Sequence, residues 1–234
     1  MADADPAVNV PRRFSICLPR PLSIGVAAVM LVIAGLALIA FRCYLQGNAI
    51  HEIKAVGGSV EMRPRWPEWL RERLGDERLR PFDEPVHVKL SYSRAGDETL
   101  GQLSRLPGLK RLDCNGAKIS DAGLAHIGRI TSLEWLWLAD TTVTDAGLLK
   151  LRRLTRLREL GLNGTQVSDA GLAHLKGFMG LRELWLNGTG ITDAGLVHLK
   201  ELTALEWLFL RGTQVSDEGI ADLKRALPAL QCSR

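Results

Sequence analysis

The chain has 234 residues, with 30 Lys and Arg against 26 Asp and Glu and a net charge of +4 at neutral pH. That length suffices for one or two domains with a sizeable core. The basic excess is mild and its residues are dispersed, which argues against the clustered basic face of a nucleic-acid binder.

Residues 1–21 hold four prolines and few apolar clusters and are expected to form a disordered tail. Residues 22–41, LSIGVAAVMLVIAGLALIAF, carry no charge between Arg20 and Arg42. At ~1.5 Å per residue such a helix reaches ~30 Å, one bilayer core. The run is longer than a signal-peptide apolar region and lacks an A-x-A site, so a retained transmembrane helix is predicted, with a cleaved signal as the alternative. Arg12, Arg13 and Arg20 precede it, while only Arg42 and the more distant Lys54 follow. This bias predicts a single-pass protein of the cytoplasmic membrane, its N-terminal tail cytoplasmic and the rest outside.

Residues 42–84 read as a linker and N-terminal capping segment. In AIHEIKAVGG (49–58) Ile50, Ile53 and Val56 share one helical face, and PEWLRERLG (67–75) has Pro67 at a first helical turn and Gly75 as a stop. From 85 to 234 the chain is periodic. Leu109, Leu133, Leu157, Leu181 and Leu205 are spaced 24 apart and open five copies without a slip of register. The first half of each copy, L-x-x-L-x-L, alternates like a strand; the second, [ST]-D-x-G-[LI]-x-x-[LI], is spaced like a helix face. Ser120, Thr144, Ser168, Thr192 and Ser216 stand at the expected N-caps, and the aspartates that follow suit the helix dipole. Residues 85–108 fit a degenerate opening copy, with Val88 and Leu90 in strand slots and Asp97, Leu100 and Leu103 in helix slots. ALQCSR at the end supplies a last short strand with Cys232 in a core slot. Cys114 and Cys232 lie several layers apart, and Cys17 and Cys43 flank the apolar run, so neither a disulfide framework nor a C-x-x-C pair is expected.

One strand–helix unit cannot bury its own apolar side, whereas about three or more stacked units can. The pattern L-x-x-L-x-L-x-x-T-x-[VI]-[ST]-D-x-G-L resembles leucine-rich repeats, here over roughly 86–232. The T-D-A-G-L variant is similar to bacterial repeat proteins and to repeats in substrate receptors of ubiquitin ligases. The resemblance implies an α/β solenoid, parallel strands on the concave face and helices on the convex face, preceded by one transmembrane helix. No F-box-like segment precedes the repeats, so a ligase-receptor role is not expected to carry over. Where the family often holds asparagine in the strand turn, this chain has Thr141, Thr165, Thr189 and Thr213, or Ala117 in the first copy, which argues against an asparagine ladder. These threonines are expected to bond backbone in the turn of a neighbouring layer.

If Leu136 and Leu138 and their equivalents face the core, the alternate positions of each strand face into the arc. Trp135, Trp137, Trp185, Trp207 and Phe209 then share one open sheet surface with Glu159, Glu183 and Arg211. Adjacent layers lie ~4.8 Å apart, so Trp185 and Phe209 are placed to stack and Trp135 to Trp207 spans ~14 Å. Five aromatics offer on the order of 1,000 Å², compared with ~800 Å² for one side of a standard interface. Gly161, between Trp137 and Trp185, is expected to leave a gap for an inserted side chain or sugar. The reading is a polypeptide partner anchored by the aromatics, with Glu159, Glu183 and Arg211 setting polarity. The alternatives are envelope glycan stacked on the same rings, with Asn163 and Asn187 beside them, or an architectural, self-associating spacer. No G-x-S-x-G, H-E-x-x-H or phosphate-cradling glycine motif occurs. His126, His174 and His198 share one helix slot, and His174 and His198 could be neighbours across a layer, but that pair has no third ligand and reads as solvent-facing. Neither catalysis nor a metal or other cofactor is expected.

Overall fold

The computed structural model describes residues 21–234, with side chains from Val26 onward. The tail expected at 1–21, apart from Pro21, lies outside the described residues. The chain divides into two compact units, Met1–Phe41 and Arg42–Arg234. In the first unit helix α1 begins at Pro21; the helix as a whole runs to Ala55. Among the described residues it is the one helix long and apolar enough to cross a membrane, a description that an anchor and a signal sequence both satisfy.

The second unit is built on an eight-stranded sheet whose strands follow one another in sequence order. Strands β2 (Glu84–Lys89), β3 (Arg111–Asp113), β4 (Trp135–Trp137), β5 (Glu159–Gly161), β6 (Glu183–Trp185), β7 (Trp207–Phe209) and β8 (Gln231–Ser233) run parallel. Each pairs with residues 24 positions on, as in Leu112↔Leu136 and Leu136↔Leu160. The helices α4 (Asp97–Gln102), α5 (Asp121–Ile127), α6 (Asp145–Lys150), α7 (Asp169–Leu172), α8 (Asp193–Leu196) and α9 (Asp217–Ala226) return the chain on the other side. The strand leucines and the helix residues Leu100, Leu124, Leu148, Leu172 and Leu196 form one continuous buried core between the two layers. This is the expected leucine-rich repeat solenoid.

What locks one layer to the next is a column of carboxylates. Asp121 Oδ1 accepts the Thr144 backbone N–H at 2.9 Å and Oδ2 accepts its hydroxyl at 2.6 Å. The same pair of bonds joins Asp97 to Ser120, Asp145 to Ser168, Asp169 to Thr192 and Asp193 to Ser216. While donating to the preceding layer, the hydroxyls of Ser120, Thr144, Thr192 and Ser216 accept a backbone N–H from the first turn of their own helix. The aspartates therefore do more than complement the helix dipole. They also explain the glycine 26 residues after each of them, in the first turn of the next layer's helix. A Cβ on Gly147 would collide with Asp121 Oδ1 and come within 2.8 Å of a Leu124 methyl.

The threonine column behaves differently from the expectation. Thr141, Thr165, Thr189 and Thr213 donate to Leu138, Leu162, Leu186 and Leu210, three residues earlier in their own layer. A β-turn closes within one layer, so its nearest carbonyl is local. The asparagine ladder that these threonines argued against is present two positions earlier. Asn115, Asn163 and Asn187 Oδ1 accept the backbone N–H of Ala139, Asn187 and Arg211 in the following layers, at 2.7–2.9 Å.

At the N-terminal end of this unit, Ala49 and Ile53 of α1 are fully buried in the core, with Ile50 and Val56 packed against it. Strand β1 (Ser59–Arg63) lies antiparallel on β2, Val60 opposite Val88, with a bulge at Glu61/Met62. It occupies the edge that β2 would otherwise leave unpaired. Helices α2 (Glu68–Leu74) and α3 (Asp76–Leu79) follow, and Pro67 caps α2 from just outside it. Arg71 pairs with Asp76 and Asp83, and Gln46 Nε2 donates to the Asp83 carbonyl at 2.9 Å.

If the carboxylate column holds the layers together, Asp145→Ala, which orphans the Ser168 N–H and hydroxyl, should lower stability to urea by about 2–4 kcal/mol. Asp217→Ala removes a carboxylate that, among the described residues, pairs only with Arg234 near the surface and holds no Ser or Thr of another helix, and should cost under about 1 kcal/mol. Equal effects of the two would contradict the assignment.

Candidate interaction face

The residues opposite the core leucines form two columns across the strands. One runs Arg111, Trp135, Glu159, Glu183, Trp207, Gln231; the other runs Asp113, Trp137, Gly161, Trp185, Phe209, Ser233. The strand period fixes this: Leu136 and Leu160 are fully buried, while Trp135, Trp137, Glu159, Glu183, Trp185 and Phe209 are half-buried. All eight residues expected on this face lie on it or, for Arg211, just beyond β7.

The aromatics pack on one another. Trp185 and Phe209 stack with centroids 3.7 Å apart and an interplanar angle of 16°, and Trp207 lies near-parallel to Phe209 at 6.3 Å. Trp207 is the most open of the five, with 40% of its surface accessible. Because the other four are half-buried, the apolar area on offer falls short of the sum of five isolated side chains. The gap expected at Gly161 is also filled. A Cβ there would lie 2.7 Å from Trp137 Cδ1, so the indole of Trp137 leans over the glycine and takes the space.

Polar groups divide into those that are satisfied and those that are not. The Arg111 guanidinium lies over the Trp135 ring, 4.3 Å from its centroid. Trp135 Nε1–H donates to Glu159 Oε1 at 2.6 Å. His87 sits 6.5 Å from Trp137, and its Nδ1 is 3.3 Å from Glu61. Burial holds the His87 imidazolium below the usual histidine range despite Glu61. Asn163 and Asn187, considered as sugar contacts, spend their carbonyl oxygens on the next layer's backbone. Among the described residues the Glu183 carboxylate makes no hydrogen bond or ion pair, and the Glu159 carboxylate makes only the bond from Trp135. Lys110 is 2.7 Å from Glu134 and Arg182 is 3.6 Å from Glu206. The buried Nε1–H of Trp185 meets no acceptor there either.

Arg111 is where the strand alternation puts it, one layer before Trp135, and His87 of β2, which the aromatic pattern did not single out, joins the same column. Among the described residues no group of three or more His, Cys, Asp or Glu is placed to hold a metal. Burial raises the thiols of Cys114 and Cys232 above their ordinary value, so neither is a poised nucleophile.

Solved structures to which this chain is similar include an internalin of Listeria monocytogenes, 24% identical, TM-score 0.48, with 57% of this chain matching 36% of that one. A leucine-rich repeat protein of Leptospira interrogans is 15% identical with TM-score 0.38, over 57% of this chain and 45% of that one. The chain spans less than half the length of either neighbour. The fold is a leucine-rich repeat solenoid. No family model and no curated protein matches it.

Burial, followed by the neighbouring Glu183, raises the Glu159 carboxyl above its ordinary range against the opposing pull of the Trp135 bond and Arg111. A carboxyl whose folded pKa lies above its unfolded value stabilises the fold fully below the unfolded value, and that contribution is lost as pH rises through the folded one. Glu159→Gln should therefore melt at or above the parent temperature at pH ~7, with the difference vanishing below pH ~4. Thermal melts across that range check this, and a lower-melting variant at neutral pH would contradict it.

Proposed function

We propose that this chain is a single-pass membrane protein that binds a polypeptide partner through the concave face of its repeats, without catalysis. Residues 22–41 would anchor it in the cytoplasmic membrane, tail inside and repeats outside, as the Arg12, Arg13 and Arg20 bias favours. The observation that supports binding most directly is the cluster of Trp135, Trp137, Trp185, Trp207 and Phe209 on one open sheet face. Indoles held by neighbours on a rigid sheet lose little conformational freedom on contact, and tryptophan is enriched at the energetic centres of interfaces. Arg211, exposed beyond β7, sets the polarity of one end, and Glu159 and Glu183 that of the middle. A polypeptide is favoured over a glycan because Asn163 and Asn187, the amides best placed for sugar hydroxyls, already serve the backbone.

The test uses a photoreactive aromatic at position 137 of the full chain in intact cells. A single dominant adduct is expected, abolished by Trp185→Ala and unaffected by Met179→Ala away from the strands. An adduct indifferent to Trp185→Ala would overturn the concave-face assignment. In the same cells the anchored chain should resist alkaline extraction from membranes, and release into the soluble fraction would overturn the anchor.

A further inference from the structure

Resting on the concave face as the contact surface, we propose that its centre is a seat for one basic side chain, lysine or arginine, of the bound polypeptide. Glu159 and Glu183 are direct cross-strand neighbours in the first column. Like charges in that relation are unfavourable, and more so when partly withdrawn from water. Elsewhere on this edge of the sheet the chain neutralises its acids: Lys110 serves Glu134 and Arg182 serves Glu206. The basic group of this column, Arg111, is separated from the pair by Trp135 and lies over its ring, so it acts on Glu159 only from beyond the indole. The central pair thus has most of its acceptor capacity free, one oxygen of Glu159 being used by Trp135.

The surroundings suit a cation rather than any other guest. Within the column, Trp135 and Trp207 bracket the two glutamates. Beside them, Trp137 covers Gly161 and Trp185 follows in the next layer. Indole faces attract ammonium and guanidinium groups, most strongly where water is excluded. Arg111 over Trp135 already shows this ribbon receiving a guanidinium on an indole. An acidic or phosphorylated guest would be repelled by the carboxylates. A neutral apolar guest would cover them without compensation. A basic side chain neutralises the pair, and its aliphatic stem packs on the rings.

The experiment uses the full chain in zwitterionic lipid nanodiscs at about 0.15 M salt, where exposed charges are screened beyond ~8 Å. Hexa-arginine, hexa-lysine, hexa-glutamine and hexa-glutamate are titrated while tryptophan fluorescence is recorded. The two basic peptides should quench and the other two should not. Glu159→Gln/Glu183→Gln should weaken the quenching at least about tenfold. Glu201→Gln/Glu218→Gln, an equal charge change on exposed residues elsewhere, should alter it less than about twofold. Equal weakening by both double variants, or no quenching by hexa-arginine, overturns the seat. If hexa-glutamine quenches as strongly as hexa-arginine and Trp137→Ala/Trp185→Ala abolishes it, the contact surface stands and the basic seat falls. Near-ultraviolet circular dichroism of each variant confirms the fold.

Discussion

A carboxylate that holds the N-terminus of the next layer's helix sets the geometry of this solenoid. Each of Asp97, Asp121, Asp145, Asp169 and Asp193 takes both the backbone N–H and the hydroxyl of a Ser or Thr 23 residues on. Two bonds from one rigid group fix both distance and orientation, so helices stack without slipping. Strand pairing at a constant 24-residue offset follows. At Asp193 these bonds hold the carboxyl below its ordinary range, so its contribution is present above the unfolded pKa and lost as pH falls through the folded one.

Constant offset turns sequence columns into spatial columns, and this is where structure becomes function. On the core side the columns are almost entirely leucine, a repetitive packing problem solved once per layer. On the open side the columns differ from layer to layer, and the differences are local in effect. Gly161 exists beside Trp137 because the indole needs its space. Arg111 is engaged by Trp135. Asn163 and Asn187 look like recognition groups but belong to the scaffold. After these internal uses, the exposed rim of Trp207, the ring surfaces around Trp185 and Phe209, and the glutamate pair remain open on this face.

The alternation in LEWLWL and the 24-residue spacing made the strand faces, the core leucines and the stacking of Trp185 on Phe209 legible in the sequence alone. Both depend on periods of two and twenty-four, which a sequence displays. Contacts whose partner depends on how a side chain leans were not legible. The lean of Trp137 over Gly161 closes a gap that residue size alone suggested was open. The cap logic of the Ser and Thr positions, read within one copy, could not show that Thr144 also donates to Asp121 a layer earlier. Strand β1 was not legible because SVEMR offers only Val60 and Met62 as an alternating pair, between Gly58 and Pro64; its place is set by pairing with β2.

Excision of residues 157–180, one whole 24-residue unit, tests most directly whether the layer-to-layer register governs both fold and face. The shortened chain is expected to unfold cooperatively in urea, with Trp137 now one layer from Trp185 and a new excitonic couplet in far-ultraviolet circular dichroism. A matched excision of 159–180, two residues out of register, should lose that cooperative transition. If both excisions behave alike, or the whole-unit cut unfolds the chain, the register does not carry the structure as described.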